Sequence, residues 1–239
     1  MRLDQALVER KLAASRTLAQ KLIESGVVTV SGVVTNKPSR KIEGSEPIEV
    51  TQQMPFISRG GEKLAHALDF FQVNASGLDC LDVGASTGGF TDCLLKRGAG
   101  QVFCVDSGSN QLHQTLRDHP KVSFREGFNA RFMTPDDLPF LPQLVVMDVS
   151  FISQTLLLTP IAGVLKKNGA VVSLIKPQFE LSSAELGRNG IVREEELREK
   201  AIQRVRSAAE EIGFQWHGLT ESPIQGGGGN REFLCYLTR

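Results

Sequence analysis

Only four cysteines occur in the 239-residue chain, Cys80, Cys93, Cys104 and Cys235, with no C-x-x-C pair and no metal-type grouping with the four histidines. A disulfide scaffold and a zinc module are thereby excluded. Three of the four interrupt apolar runs, so they read as reduced core residues, and no resident metal is expected. Long apolar runs are missing too. The longest, near "LLLTPIAGVL", is about half a membrane span and contains Pro160. The opening "MRLDQALVER" carries Arg2, Asp4, Glu9 and Arg10 where a secretory leader needs an uninterrupted apolar core. With 41% hydrophobic and 23% charged residues, disorder is not indicated either. These absences predict a cytoplasmic globular protein with one substantial domain and a small one, and no membrane contact.

Net charge is also lacking, but the zero hides an asymmetry. Through Lys41 there are eight basic residues (Arg2, Arg10, Lys11, Arg16, Lys21, Lys37, Arg40, Lys41) against Asp4, Glu9 and Glu24, so the remainder is acidic by the same margin. A basic head on an acidic body fits polyanion binding, because Lys and Arg neutralising phosphates supply most non-specific nucleic-acid affinity. A solvated charged face would account for the charge alone.

Within that head, Leu3, Leu7 and Val8 mark one helix, and Ser15 is placed to N-cap a second bearing Leu18, Leu22 and Ile23, which Gly26 ends. "VVTV", Ser31-Gly32 and "VVT" read as a tight hairpin, and "EPIEV" as another strand. The arrangement resembles the S4 RNA-binding domain at Arg2-Leu3-Asp4, Ser15-Arg16, Ala19, Gly26, Val28 and Gly32. The resemblance implies a small α+β domain over residues 1–54, with Arg2, Arg10, Lys11, Arg16, Lys21, Lys37 and Arg40 as candidates for RNA phosphate contacts.

The join falls near "TQQMPFISRGG", where Pro55 and Gly60-Gly61 break regular structure. Over 55–239 strand signals ("LDCLDVG", "QVFCVDS", "KVSFREG", "QLVVMDVS", "AVVSLIK") alternate with helical ones, which predicts a parallel sheet covered on both faces. A long helix is expected from about Glu194 to Ile212. "FQWHGLT" and "REFLCYLT", flanking the glycines at 226–229, look like a closing antiparallel pair.

In "LDVGASTGGFTDCLLKRGAG", three glycines separate a short buried-strand pattern from Phe90, Leu94 and Leu95 at helical spacing. Such a turn can bring backbone close to a ligand, or it can serve close packing alone. G-x-G-x-x-G is not satisfied, since Ser86 holds the second glycine's place, and a P-loop lacks its lysine because Phe90 follows the last glycine. A small amino-acid-bearing nucleoside remains, and S-adenosylmethionine fits: its carboxylate can meet backbone N–H groups. Asp106, ending the next strand, is placed for both ribose hydroxyls. Phe128, Asn129 and Ala130 could line the adenine site. The candidate cofactor residues are Asp82, Gly84, Ala85, Ser86, Gly88, Gly89, Phe90, Asp106 and Asn129.

Asp148 in "LVVMDVS" and Lys176 in "VVSLIKPQF" end apolar strands, where an open parallel sheet forms its ligand crevice. Pro177 biases Lys176 towards extended backbone. Glu232 opens the strand "FLCYL" and by alternation shares a face with Leu234 and Tyr236, where a carboxylate needs a partner. Lys63 would pass for a surface lysine on a helix with Leu64, Leu68 and Phe71 inward.

Together Lys63, Asp148, Lys176 and Glu232 resemble, in order and context, the Lys-Asp-Lys-Glu tetrad of FtsJ-like ribose 2'-O-methyltransferases. More specifically, "SRGGEKL", "LDVGASTGGFTDCLL", "VMDVSFIS", "LIKPQFE" and "GNREFL", behind an S4-like head, resemble the TlyA-type rRNA methyltransferases, also called the haemolysin A family. The resemblance implies an α/β fold, a Rossmann-like S-adenosylmethionine-dependent methyltransferase sheet with a small N-terminal α+β S4-like domain. It also implies those four as catalytic residues, methylation of a cytidine 2'-hydroxyl, and ribosomal RNA or a ribosomal subunit as partner, with no obligate protein partner. "FELSSAELGRNGIV", irregular just after the second lysine, is a candidate lid. A free lysine is protonated at neutral pH, and a neighbouring lysine and two carboxylates would act on that proton in opposite senses. General base and hydroxyl-orienting group therefore both stay open for Lys176. No Asn-Pro-Pro-aromatic follows the fourth strand for exocyclic amines, and no Pro-Cys supplies a pyrimidine-attacking thiolate. Two other classes are carried: a ribosome-associated RNA-binding protein without catalysis, and a membrane-active haemolysin, disfavoured because no basic interfacial helix is evident.

Overall fold

A computed structural model describes residues 1–50, 55–182, 184–186, 190–226 and 229–239. Outside the described residues lie 51–54 of the expected join, 183 and 187–189 of the candidate lid, and 227–228 of the glycine run. The chain divides into two compact units, Met1–Pro55 and Phe56–Arg239.

The first unit holds α1 (Leu3–Glu9), α2 (Arg16–Glu24) and three short strands, β1 (Val28–Val30), β2 (Val33–Val34) and β3 (Ile48–Val50), paired antiparallel in the order β2-β1-β3. Ser15 Oγ accepts the Leu18 N–H at 3.2 Å and so caps α2, which stops before Gly26 at φ +76°. The buried stripe of α2 differs from the expected one by a residue: Leu18 is exposed, and Ala19, Leu22 and Ile23 meet Leu3, Ala6 and Leu7 of α1. That i, i+3, i+4 set is the narrower face, and it suits a helix packed on a single partner. Ser31 and Gly32 both take left-handed φ, +53° and +77°, as a type I′ hairpin turn requires.

In the second unit α3 (Gly60–Phe70) precedes β4 (Asp79–Val83), α4 (Gly89–Lys96), β5 (Gln101–Val105), α5 (Gln114–Arg117), β6 (Val122–Arg125) and β7 (Leu144–Met147). Then come α6 (Thr155–Val164), β8 (Ala170–Ile175), α7 (Pro177–Glu180), α8 (Glu195–Glu211), β9 (Gln215–Glu221) and β10 (Phe233–Thr238). The sheet order is β6-β5-β4-β7-β8-β10-β9, with the first five strands parallel and β10 antiparallel to both neighbours. All five expected parallel strands are present, and the antiparallel pair is there too, with β10 inserted between β8 and β9.

Alternation along the strands feeds two cores. Leu81, Val83, Val145, Met147 and Ile175 pack on one side with α6 and α8, whereas Cys80, Cys104, Val146, Leu174 and Leu234 pack on the other with α3 and α4. β4 is flanked by β5 on one side and β7 on the other. The strand order reverses there, which is where a crevice opens at the carboxyl ends of an α/β sheet.

Candidate active site

A cleft of about 610 Å³ occupies that reversal point, lined among others by Gly84, Ser86, Asp106, Phe128, Asn129 and Asp148. Its size is that of a small-molecule site. Asp106 joins the glycine turn to the loop after β5: one carboxylate oxygen accepts the Ser86 N–H and the other the Gly108 N–H, each at 2.7 Å. An ionised carboxylate has about four lone-pair sites, so it keeps capacity for two ligand hydroxyls. Phe128 and Ala130 flank Asn129 on the same wall.

Of the expected glycine-turn residues, Gly84 and Ser86 line the cleft and the others do not. Gly84 has φ +83°, and a Cβ there would come within 2.5 Å of the Asp148 carbonyl oxygen, so this glycine lets the turn cross the end of β7. Gly88, Gly89 and Phe90 do not line the cleft. A Cβ on Gly88 would strike Leu116, one on Gly89 would strike Ser58, and Phe90 is buried in the core. Ala85 is buried behind the turn. The turn's own N–H groups are largely used internally: Gly84 and Ala85 donate to the Val105 oxygen, Ser86 to Asp106, and Gly88 to the Ala85 oxygen. Those four donors are therefore already engaged within the protein.

Asp82 also departs from expectation. Strand alternation turns it towards α4 with Cys80 and Cys104, where it is fully buried and one oxygen accepts the Thr91 hydroxyl at 2.6 Å. Its other oxygen has no hydrogen-bond partner among the described residues. Burial pushes the Asp82 carboxyl up to about 7, the Thr91 hydroxyl opposes this, and the charges of Asp148 and Asp106 add to it.

A second hollow of about 400 Å³ shares Ser150 and Phe151 with the cleft and is further lined by Lys176, Gln178, Phe179, Asn230 and Glu232. Lys176, whose backbone before Pro177 is extended, brings its ammonium 2.5 Å from Asp148 Oδ1, off the angle for a hydrogen bond, and donates to Ser150 Oγ at 2.8 Å. Glu232, 3% exposed, forms a buried ion pair with Lys63 of α3. β10 pairs Phe233 with Ile175, so Glu232 falls one step on, beside Lys176. Asp148, Lys176 and Glu232 each lie two positions from Val146, Leu174 and Leu234, all on the α3 side of the sheet. That shared face makes two ion pairs out of four distant residues, with Lys176 and Glu232 lining the hollow and Asp148 the cleft beside it.

Phe151 was not anticipated. It is 91% exposed, holds φ +64°, which is strained for an aromatic residue, and leans on Phe179 with centroids 5.2 Å apart. Exposure of a side chain is not visible in local patterning, so "VSFIS" gives no sign that its aromatic ring stands bare. Gln111 and Gly108 on the cleft wall were missed as well, since polar loop residues have no periodicity to read. Glu180 of α7, 2% exposed, accepts from Ser153 Oγ at 2.5 Å and from the Gln154 N–H at 2.9 Å, tying the segment of Lys176 to the loop of Ser150. Burial pushes its carboxyl up, against those two donors.

In the first unit the basic residues divide. Asp4 is fully buried and accepts from Arg2 at 3.0 Å, Arg16 at 2.9 Å and Gln20 at 2.9 Å, which holds its carboxyl well below the usual range. Arg10 donates to the carbonyls of Glu46 and Gly44, and Arg40 pairs with Glu46. Lys11 and Lys37 are exposed and Lys21 half-buried, and none of the three side chains makes a hydrogen bond or ion pair among the described residues. Among the described residues no group of three His, Cys, Asp or Glu could hold a metal, and no helix is long and apolar enough to cross a membrane.

The FtsJ-like methyltransferase family model matches residues 56–239 and the S4 domain model residues 1–48. The 16S/23S rRNA (cytidine-2'-O)-methyltransferase TlyA of Mycobacterium tuberculosis is 39% identical over 99% of this chain and 89% of its own. Hemolysin A of Brachyspira hyodysenteriae is 41% identical over 99% of both. A solved hemolysin-named structure from Streptococcus thermophilus matches with TM-score 0.80 and 40% identity over 100% of this chain and 88% of that one. A methyltransferase from Listeria monocytogenes, 14% identical with TM-score 0.56 over 75% of this chain and 98% of that one, shares the fold of the larger unit.

Proposed function

The chain belongs to the FtsJ-like methyltransferase family, and we propose that it transfers a methyl group from S-adenosylmethionine to a cytidine 2'-hydroxyl of ribosomal RNA. Residues 1–54 would dock the RNA and residues 55–239 carry out the chemistry, in the cytoplasm. The observation that supports this best is the position of Lys176, which pairs with the cleft residue Asp148 while itself lining the adjoining hollow.

The cleft residues fit the cofactor. Asp106 would take the ribose hydroxyls, and Phe128, Asn129 and Ala130 the adenine. When bound, S-adenosylmethionine supplies an electrophilic methyl group on a sulfonium. Everything else is positioning, which provides much of the barrier reduction in such a transfer. The second hollow would receive the target nucleoside, with Phe151 and Phe179 offering apolar faces on which a splayed-out base can stack. Lys176 would then meet the 2'-hydroxyl, either orienting it by donating to its oxygen as the ammonium or accepting its proton as the neutral amine. Asp148 and Ser150 fix Lys176 Nζ, and Glu232, held by Lys63, walls the far side.

The test is methyl transfer by the purified full chain from labelled S-adenosylmethionine to unmodified ribosomal subunits, with the site located by mass spectrometry. A 2'-O-methylcytidine made by the wild type, and reduced about 100-fold or more by Lys176→Ala, is expected. RNA binding with no methylation of any subunit would favour the non-catalytic RNA-binding reading instead.

A further inference from the structure

Glu126, one residue past β6, does not line the cleft, although it borders a small hollow behind Ser86 and Asp106, and the cleft's outer wall hangs on it. Its carboxylate accepts the N–H groups of three consecutive residues: Asn110 at 3.0 Å, Gln111 at 2.8 Å and Leu112 at 3.2 Å. Arg117 closes the clip at 2.5 Å and also donates to the Leu112 carbonyl. With Arg117 first and the backbone donors after it, the Glu126 carboxyl is held down to about 2, so it stays ionised throughout the physiological range. Within the clipped segment Asn110 sits at φ +58°, a left-handed backbone that asparagine tolerates. What the clip secures is Gln111, which lines the cleft and accepts from the Ser86 hydroxyl at 3.0 Å, and with it Gly108, whose N–H orients Asp106.

Resting on the cofactor reading above, we propose that Glu126 is a positioning residue for cofactor binding, acting through the Gly108–Gln111 wall rather than by contact. Glutamine is the informative replacement. It keeps the shape but leaves one oxygen for three N–H donors and points an amide N–H at the rest. Aspartate keeps the charge but falls a methylene short.

Calorimetric titration of the full chain with S-adenosylmethionine tests this, with thermal melts confirming that each variant is folded at the titration temperature. Glu126→Gln is expected to weaken binding about tenfold, the scale of losing a charged hydrogen bond. KM for the cofactor should rise in step while KM for RNA holds. Because the two residues act as a unit, Glu126→Gln with Gln111→Ala should cost less than the product of the single effects. Glu126→Asp, titrated the same way, carries the test if the glutamine variant does not fold. Wild-type affinity in a folded Glu126 variant, or strictly multiplicative losses, would overturn the proposal and leave the functional reading standing. A wild type that binds no S-adenosylmethionine would end both.

Discussion

Lys63 and Glu232 stand 169 positions apart in the chain and form an ion pair in the interior, the lysine 9% exposed and the glutamate 3%. Neither charge is tolerable there alone. Lys63→Met or Glu232→Gln should each cost roughly 3–5 kcal/mol in denaturant unfolding, because each strands a buried charge. The double variant Lys63→Met/Glu232→Gln should be more stable than either single one and remain inactive. Additive losses in stability would show that the two side chains do not depend on each other.

Phe151 combines high exposure with a left-handed backbone, a cost usually retained for a purpose. Phe151→Gly should relieve that strain, so melting temperature is expected to hold or rise while KM for RNA increases about tenfold, the scale of one base–aromatic stack. Affinity for S-adenosylmethionine should not change. Unaltered RNA kinetics in this variant would remove Phe151 from the target site.

The buried Asp82 gives stability a pH dependence of definite sign. Its folded-state value of about 7 lies above the unfolded carboxylate's, so the native chain binds this proton more tightly. The contribution is greatest below about pH 4, declines as pH rises towards 7, and is level above that. Asp82→Asn, which cannot ionise, should gain on the wild type by on the order of a few kcal/mol between pH 4 and pH 8 in parallel unfolding curves. A constant gap between the two proteins would mean Asp82 ionises freely in the fold.

The basic residues of the first unit should separate by experiment as they do by contact. Lys11→Ala with Lys37→Ala is expected to leave melting unchanged and reduce the slope of log K against log salt for RNA by roughly 1.5, two phosphate contacts' worth. Arg16→Ala removes a partner of the buried Asp4 and should lower the stability of the full chain. An unchanged salt slope in the lysine variant would place the RNA elsewhere.

Much of the architecture is legible in the sequence. Continuous apolar runs such as "QVFCV" and "LVVMD" mark buried parallel strands because both faces of each are covered. The Ser15 cap and the Ser31-Gly32 turn are local chemistry. The α2 stripe and the roles of the glycines were harder, since Leu18 against Ala19 and Gly88 against Leu116 are decided by neighbours that sequence spacing does not specify.

By itself the chain's order of residues determined the two-part organisation, the strand–helix alternation and the charged residues ending apolar strands, because those follow from hydrophobic period and turn chemistry within a few positions. Only the tertiary structure decided that Asp82 turns away from the cleft, that Lys63 is buried, that Phe151 is bare and that Glu126 grips a distant loop. Each of those depends on which strands become neighbours and which face a helix covers, and long-range packing sets both.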